Sequence, residues 1–322
     1  MTRDALNALA FVLALALAMV GGGVRLSDAT ASVSRPSPAG ATPTPERLPD
    51  GRLALRDVGG TLVPLAPYRR IASATLVADR ALADLCEPDR IVAFTRHAAA
   101  TPSGHRYAGK ALLGARDPLE RVLALAPDLL LVSDLVDPRY VARLREQGIA
   151  VFDLGPMRGL ETLLPTLRTI GVLIGAPERA ARYADTLAAR MRAVAPVASD
   201  APRPRALYLA VYGERLFGAG DHTSYHDVLT YAGLADAVAE HGLSGWPELS
   251  PEQVLALAPA VLVTRTGMSA VLCRHPGLDR LDACRGTGRV VELDGALLDD
   301  PGPGLLEATE ALHDALGAPA AP

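Results

Sequence analysis

The feature that most restricts the fold is a phrase written twice. "ERVLALAPDLLLV" begins at Glu120 and "EQVLALAPAVLVT" at Glu252, 132 residues later. Each copy reads as an apolar helix that stops at Ala-Pro and feeds a continuous apolar run, the pattern of a helix leading into a buried parallel strand. Two copies so far apart cannot be a solenoid and mark equivalent places in two lobes.

The surrounding segments agree. "LALRDVGGTLVPL" from Leu53 alternates about a Gly-Gly turn and predicts a β-hairpin. Strand-like "IASATL", helical "ADRALADLC" and strand-like "DRIVAFT" then follow at βαβ spacing, and the alternation continues through "DLLLVS", "PRYVARLREQG" and "IAVFDL". Between Gly159 and Pro196 it stops, and two helical segments meet at Gly175 and Pro177. It restarts at Arg205 with "RALYLAVY", helical "SYHDVLTYAGL", strand-like "AVLVTR", a helix near 269–281, "RVVEL" and a last helix "GLLEATEALHDAL". The prediction is an α/β protein of two parallel-sheet lobes, 53–158 and 199–322, joined by a helical connector over 159–198, with a ligand cleft between the lobes.

The first fifty residues are of another kind. Arg3, an apolar run broken by glycines after about 15 residues, and small residues at 29–31 form the three zones of a secretory signal. A cleaved signal over 1–31 is predicted, with an uncleaved membrane anchor as the alternative, and the Pro/Ser/Thr-rich stretch 32–52 reads as a disordered tether. Export permits disulfides: Cys273 and Cys284 could close a short loop and leave Cys86 as a buried thiol, or all three could stay reduced. A net charge of -4 and a single lysine, Lys110, argue against nucleic acid as a partner.

The repeated glutamates have a local explanation. Asp117 and Ser250 read as N-caps, each followed by proline at N1, which sets Glu120 at N3 and Glu252 at N2 with Gln253 at N3. Acidic residues in a first turn also complement the helix dipole. On that reading the distance of the glutamate from the cap differs between the copies while its distance from "VLALAP" is constant, which suits a docking point on each lobe.

These motifs, in this order, together with the helical connector, make the chain resemble the extracytoplasmic substrate-binding proteins of ABC importers for iron-siderophores, haem and vitamin B12, over about residues 53–316. "GWPELSPEQVLALAP" is most similar to the vitamin B12-binding members. The resemblance implies two lobes on a rigid helical backbone and one ligand between them. It implies a monomeric, non-enzymatic carrier outside the cytoplasmic membrane. It also implies a permease dimer with its ATPase as partner, docked through Glu120 and Glu252. The first cleft loop, "ATLVADRAL", departs from the family's usual Ser-Pro-containing run and leaves the chelate open among cobalamin, ferric siderophore and haem.

Ligands of open α/β lobes bind beyond the carboxyl ends of the strands, which points to 73–75, the long loop after "IVAFT", "YGERLFGAGDHT", the Trp246 region and "TRTGM". The candidates for ligand contact are Arg96, His97, Tyr107, Tyr212, Arg215, Trp246 and Arg265, a set of arginine forks and aromatic faces suited to an anionic or metal-chelated ligand with a flat organic face. Tyr107 could also ligate iron directly, or pack with its hydroxyl in water. His222 and His226 have i, i+4 spacing but no third metal ligand nearby and read as a surface pair at a helix start. The competing classes are a chelatase or reductase acting on a metal-tetrapyrrole, and a carrier of free zinc or manganese. No nucleophile elbow, phosphate loop or GxGxxG supports the first, and no His/Asp/Glu cluster supports the second.

Overall fold

The computed structural model describes residues 43–101, 104–114, 117–194, 202–286 and 288–317. The expected signal, the first part of the tether and the last residues of the expected connector lie outside them. No helix among the described residues is long and apolar enough to cross a membrane.

The hairpin expected at Leu53 is present and carries a third strand. β1 (Glu46–Arg47), β2 (Leu53–Arg56) and β3 (Leu62–Pro64) form an antiparallel sheet. Arg56 forks onto Glu46 with contacts of 2.9 and 2.6 Å, so ordered structure begins inside the segment expected to be a tether.

The first lobe is a five-stranded parallel sheet. β4 (Ile71–Ser73), β5 (Ile91–Thr95), β6 (Ala111–Leu113), β7 (Leu129–Val132) and β8 (Ala150–Asp153) pair in the order β6-β5-β4-β7-β8. β7 is buried at every position, as a parallel strand covered on both faces requires. β6 lies within the segment expected to be one long loop, because three residues are too few to show a period.

The second lobe repeats the frame and adds to it. β9 (Arg205–Tyr212), β13 (Val261–Arg265) and β14 (Arg289–Leu293) are parallel, and β11 (Ala235–Asp236) pairs the start of β9 in parallel. β9 runs eight residues, and its second half pairs antiparallel with β10 (Arg215–Gly218), which in turn pairs β12 (Glu248–Leu249). The sheet is therefore mixed rather than parallel throughout. The "RLFG" strand had read as loop because Tyr212-Gly213-Glu214 looked like an exit, not a hairpin turn.

The connector is a pair of helices, Leu160–Ile174 and Pro177–Val194, packed on each other and turned at Gly175 in left-handed conformation (φ 77°). Gly171 is needed for that packing: a Cβ there would come within 2.1 Å of the Ala180 methyl.

The doubled phrase folds the same way twice. Helices Leu119–Ala124 and Pro251–Leu257 bury Val122 and Val254, and each is followed by an alanine with φ 43°, Ala126 one residue past the first helix's C-cap and Ala258 at the second's. A following proline disfavours right-handed helix at each. The caps differ from expectation on one side. Ser250 forms the full capping box with Gln253, but the first helix begins at Leu119. Asp117 instead accepts from Gly114 N and pairs with Arg96 and Arg121. Glu120 and Glu252 thus occupy the same N2 position, and their supposed shift relative to the caps disappears.

Candidate functional site

A cleft of about 620 Å³ opens between the lobes. The first lobe lines it with strand-end loops, namely Asp134 and Leu135 after β7 and Pro156, Met157 and Arg158 after β8. The second lobe lines it chiefly with Tyr208 and Tyr212 of β9, Phe217 of β10, Tyr225 of the helix Ser224–Tyr231, Trp246 of a loop and Arg265 at the end of β13.

The second-lobe wall is an aromatic assembly. Trp246 stands edge-on to Tyr225 (centroids 4.6 Å, 84°) and to Tyr208 (6.3 Å, 81°), and Tyr212 meets Phe217 at 5.8 Å. Tyr208 and Tyr225 are buried beneath, while Trp246 is 52% and Tyr212 56% exposed. Exposed aromatics propped by buried ones form a stiff apolar face, costly to leave in water and ready for a flat ligand. Across from it Leu135 is 73% exposed.

One ion pair is built into this wall. Arg265 holds Asp299 at 2.8 and 2.9 Å, donates to the Tyr212 hydroxyl at 3.2 Å and lies 6.0 Å over that ring. Tyr225 donates to the same Asp299. Burial, with Tyr208 and Asp299 beside it, raises the Tyr225 phenol far above its ordinary range, so it stays a donor.

The seven expected contact residues separate. Tyr212, Trp246 and Arg265 line the cleft. Arg215 is exposed, pairs with Glu248 and lies 5.1 Å over the Phe217 ring, touching the cleft only through that ring. Arg96 pairs with Asp117 at 2.8 Å, and His97 is exposed on the short helix Arg96–Ala99; neither lines the cleft. Tyr107 is 2% exposed, packed edge-on to Phe94 at 4.7 Å, and burial pushes its phenol up to about 12. Its loop folds back into the core because β6 follows it, so it does not reach the ligand side.

Tyr208, Tyr225, Phe217 and Asp299 line the cleft without being among the expected contacts, and His222, expected in a surface pair, lines it too. The two tyrosines sit at apolar positions of a strand and a helix and look like core, which they also are. Asp299 lies near the end of the four-residue helix Gly295–Leu298, where nothing in the pattern marks it. His222 and His226 do not share a helix face, since the helix is Ser224–Tyr231 and His222 precedes it with φ 60°. His226 turns inward onto Asp236 at 2.8 Å, which raises its pKa. Cys273 and Cys284 form a disulfide, and Cys86 is a buried free thiol.

Three carboxyls away from solvent have raised pKa values, Asp79 and Asp300 fully buried and Asp227 partly buried. Asp79 accepts from the Thr95 amide and hydroxyl, and burial lifts it to about 7. Asp227 accepts from Leu160 N at 2.5 Å and is lifted to about 6 by burial. Asp300, also lifted to about 6 by burial, faces Arg80 at 3.7 Å across the lobe boundary, where Arg80 also pairs with Glu307 at 2.5 Å. Among the described residues no group of three or more His, Cys, Asp or Glu could hold a free metal ion.

The family described as Periplasmic binding protein matches residues 71–297, which take in both lobes and the helix pair. This chain belongs to that family. Membership implies a place outside the cytoplasm, and the named relatives are binding proteins. A cobalamin-binding protein of Halobacterium salinarum is 30% identical over 200 residues, 59% of this chain and 53% of that protein. A vitamin B12-binding protein of Salmonella choleraesuis is 30% identical over 146 residues, 45% of this chain and 54% of that one. The chain thus spans about half the length of the curated relatives it matches. The fold is shared with a periplasmic heme-binding protein from Roseiflexus sp. RS-1, at a TM-score of 0.66 and 26% identity, over 77% of this chain and 98% of that one.

Proposed function

We propose that this periplasmic binding protein captures a metal chelate of the cobalamin, ferric siderophore or haem type and delivers it to an ABC permease dimer with its ATPase. The observation that carries the reading is the cleft wall, where exposed Trp246 and Tyr212 stand beside the Arg265–Asp299 pair and face an exposed apolar lip at Leu135. Such a wall offers a stacking face to a large flat ligand and hydrogen-bond donors to its polar rim. Tyr212, Trp246 and Arg265 are the proposed ligand contacts. Export through a signal over residues 1–31, a monomeric state and the absence of catalysis belong to the same proposal.

Glu120 and Glu252 are proposed as the docking points. Both are exposed, both sit at N2 of equivalent helices, and neither has an ion-pair partner among the described residues. Its own backbone amide and the Ser250 hydroxyl hold the Glu252 carboxyl below its ordinary range, so it carries a negative charge. A permease surface bearing arginines would meet them.

Trp246 is the only tryptophan, so intrinsic fluorescence reports on the cleft directly. Titration with aquocobalamin, ferric haem and a ferric hydroxamate should quench it with one of them, with saturation at one ligand per chain. Failure of all three to quench or to co-elute with the protein would sink the reading. Glu120→Ala with Glu252→Ala should leave ligand affinity intact and abolish uptake in cells carrying the permease; undiminished uptake would remove the docking role.

A further inference from the structure

The two lobes meet around an arginine that the duplicated frame does not call for. Arg80 stands on the helix Leu76–Leu85 of the first lobe and is 7% exposed. Thr75 and Thr223 cap matching helices in the two lobes, and the residue that matches Arg80 is Val228. Val228 is buried too, so an apolar side chain satisfies the frame at that place. A guanidinium put there loses hydration that only partners can offset, and arginine is rarely buried unpaired. Its side-chain partners belong to the other lobe. Glu307 of the helix Gly304–Gly317 accepts from Nη1 at 3.3 Å and from Nη2 at 2.5 Å, and Asp300, 1% exposed, lies 3.7 Å from Nη1.

Asp300 stands between this joint and the cleft. On one side of it Asp299 lines the cleft, where it pairs with Arg265 and accepts from Tyr225, and on the other Pro301 lines the cleft as well. Asp300 itself turns back, accepting from Gly302 N at 2.8 Å and facing Arg80. The backbones of the two lobes also come together here: a Cβ on Gly302 would stand 3.1 Å from Val77 Cα, and one on Gly304 would stand 2.2 Å from Asp300 Oδ2. The joint is tight in its backbone and loose in its charges. Arg80 Nε and Asp300 Oδ2 are buried and have no hydrogen-bond partner among the described residues, and the 3.7 Å from Oδ2 to Nη1 is an ion pair without a hydrogen bond. A cavity of about 180 Å³ borders Arg80 and Glu307, so the pair has room to shift.

We infer that Arg80 is a positioning residue for the cleft: by holding the segment 299–302 of the second lobe against the first, it sets the distance between the two cleft walls and the place of Asp299, and with it of Arg265. The helix pair joins the lobes along the chain, and this joint ties them through space. Its effect on ligand rests on the binding-protein reading above.

Spin labels at Arg139→Cys and Val271→Cys, exposed positions on the helices that follow β7 and β13, report the distance between the lobes in the ligand-free protein. Cys86 is buried and Cys273 and Cys284 are bonded, so the added pair alone is labelled. Arg80→Met with Asp300→Asn removes both charges, keeps an acceptor for Gly302 N and strands no buried ion. It should lengthen and broaden the distance distribution by about 2 Å or more. Arg80→Lys, which keeps a cation for Glu307, should stay much closer to the wild type. A pair inside the first lobe, Asp89→Cys with Arg139→Cys, should read the same in every variant, which a general loosening of the fold would not allow. In stopped-flow quenching of Trp246 by aquocobalamin, ferric haem and a ferric hydroxamate, the double variant should release the quenching chelate about fivefold or more faster than the wild type. An interlobe distribution unchanged in the double variant would overturn the inference. If that variant does not fold, Glu307→Gln, at a half-exposed position, takes its place and should broaden the distribution, and wild-type width there would overturn the inference equally. An interlobe shift without quenching by any of the three chelates would overturn the binding-protein reading alone and leave the joint standing.

Discussion

The two lobes share a frame and divide the labour unequally. In each, a first strand (β4, β9) is followed by a threonine-started helix, and the doubled phrase feeds the strand next to it (β7, β13). Thr75 and Thr223 hold matching N-cap positions, and Asp79 and Asp227 stand four residues after them. Yet Asp79 bonds Thr95 within its own lobe, while Asp227 bonds the first amide of the Leu160–Ile174 helix and so ties its lobe to the connector. The cleft shows the same division. The first lobe contributes short strand-end loops, and the second extends β9 into a hairpin that carries the aromatic wall. A duplicated frame is free to vary wherever its strands emerge, because residues there are not needed to fill the core.

The largest expected effect tests that imbalance. Trp246→Ala should weaken ligand binding by about 2 kcal/mol or more, roughly 30-fold, because a central aromatic anchor is lost. Leu135→Ala on the opposite lip should change it by no more than about threefold. Calorimetry is the measurement, since removing Trp246 also removes the fluorescent reporter, and equal losses at both positions would break the comparison.

The buried carboxyls sharpen it further. Asp227→Ala strands the Leu160 amide in a partly buried site and should cost about 1 kcal/mol or more in urea unfolding. Asp227→Asn, which can still accept from that amide, should recover most of it.

The smallest effect is in the pH dependence. A carboxyl raised on folding binds its proton more tightly in the folded state, so its contribution to stability is greatest below the unfolded value near 4 and declines as pH rises through the folded value. Asp79 at about 7, with Asp227 and Asp300 at about 6, act in one direction, so stability should fall from pH 4 to pH 7. Asp79→Asn should flatten the upper part of that fall by about 1 kcal/mol. An unchanged slope between pH 5 and 8 would show that Asp79 is not protonated in the folded protein.

Periodic patterns by themselves determined the two α/β lobes, the helical connector, the hairpin at Leu53 and the Ser250–Gln253 capping box, because burial of one face and satisfaction of helix ends are written in neighbouring residues. Only the tertiary structure decided where the loops turn. It drew Tyr107 into the core, engaged Asp117 with arginines rather than a helix end, and continued β9 into β10 so that Tyr212 and Trp246 share a wall. It also brought Arg265, Asp299 and Tyr225 together across intervals of 34 and 74 residues. Contacts of that kind depend on which strand ends meet in space, and no local period in the chain records it.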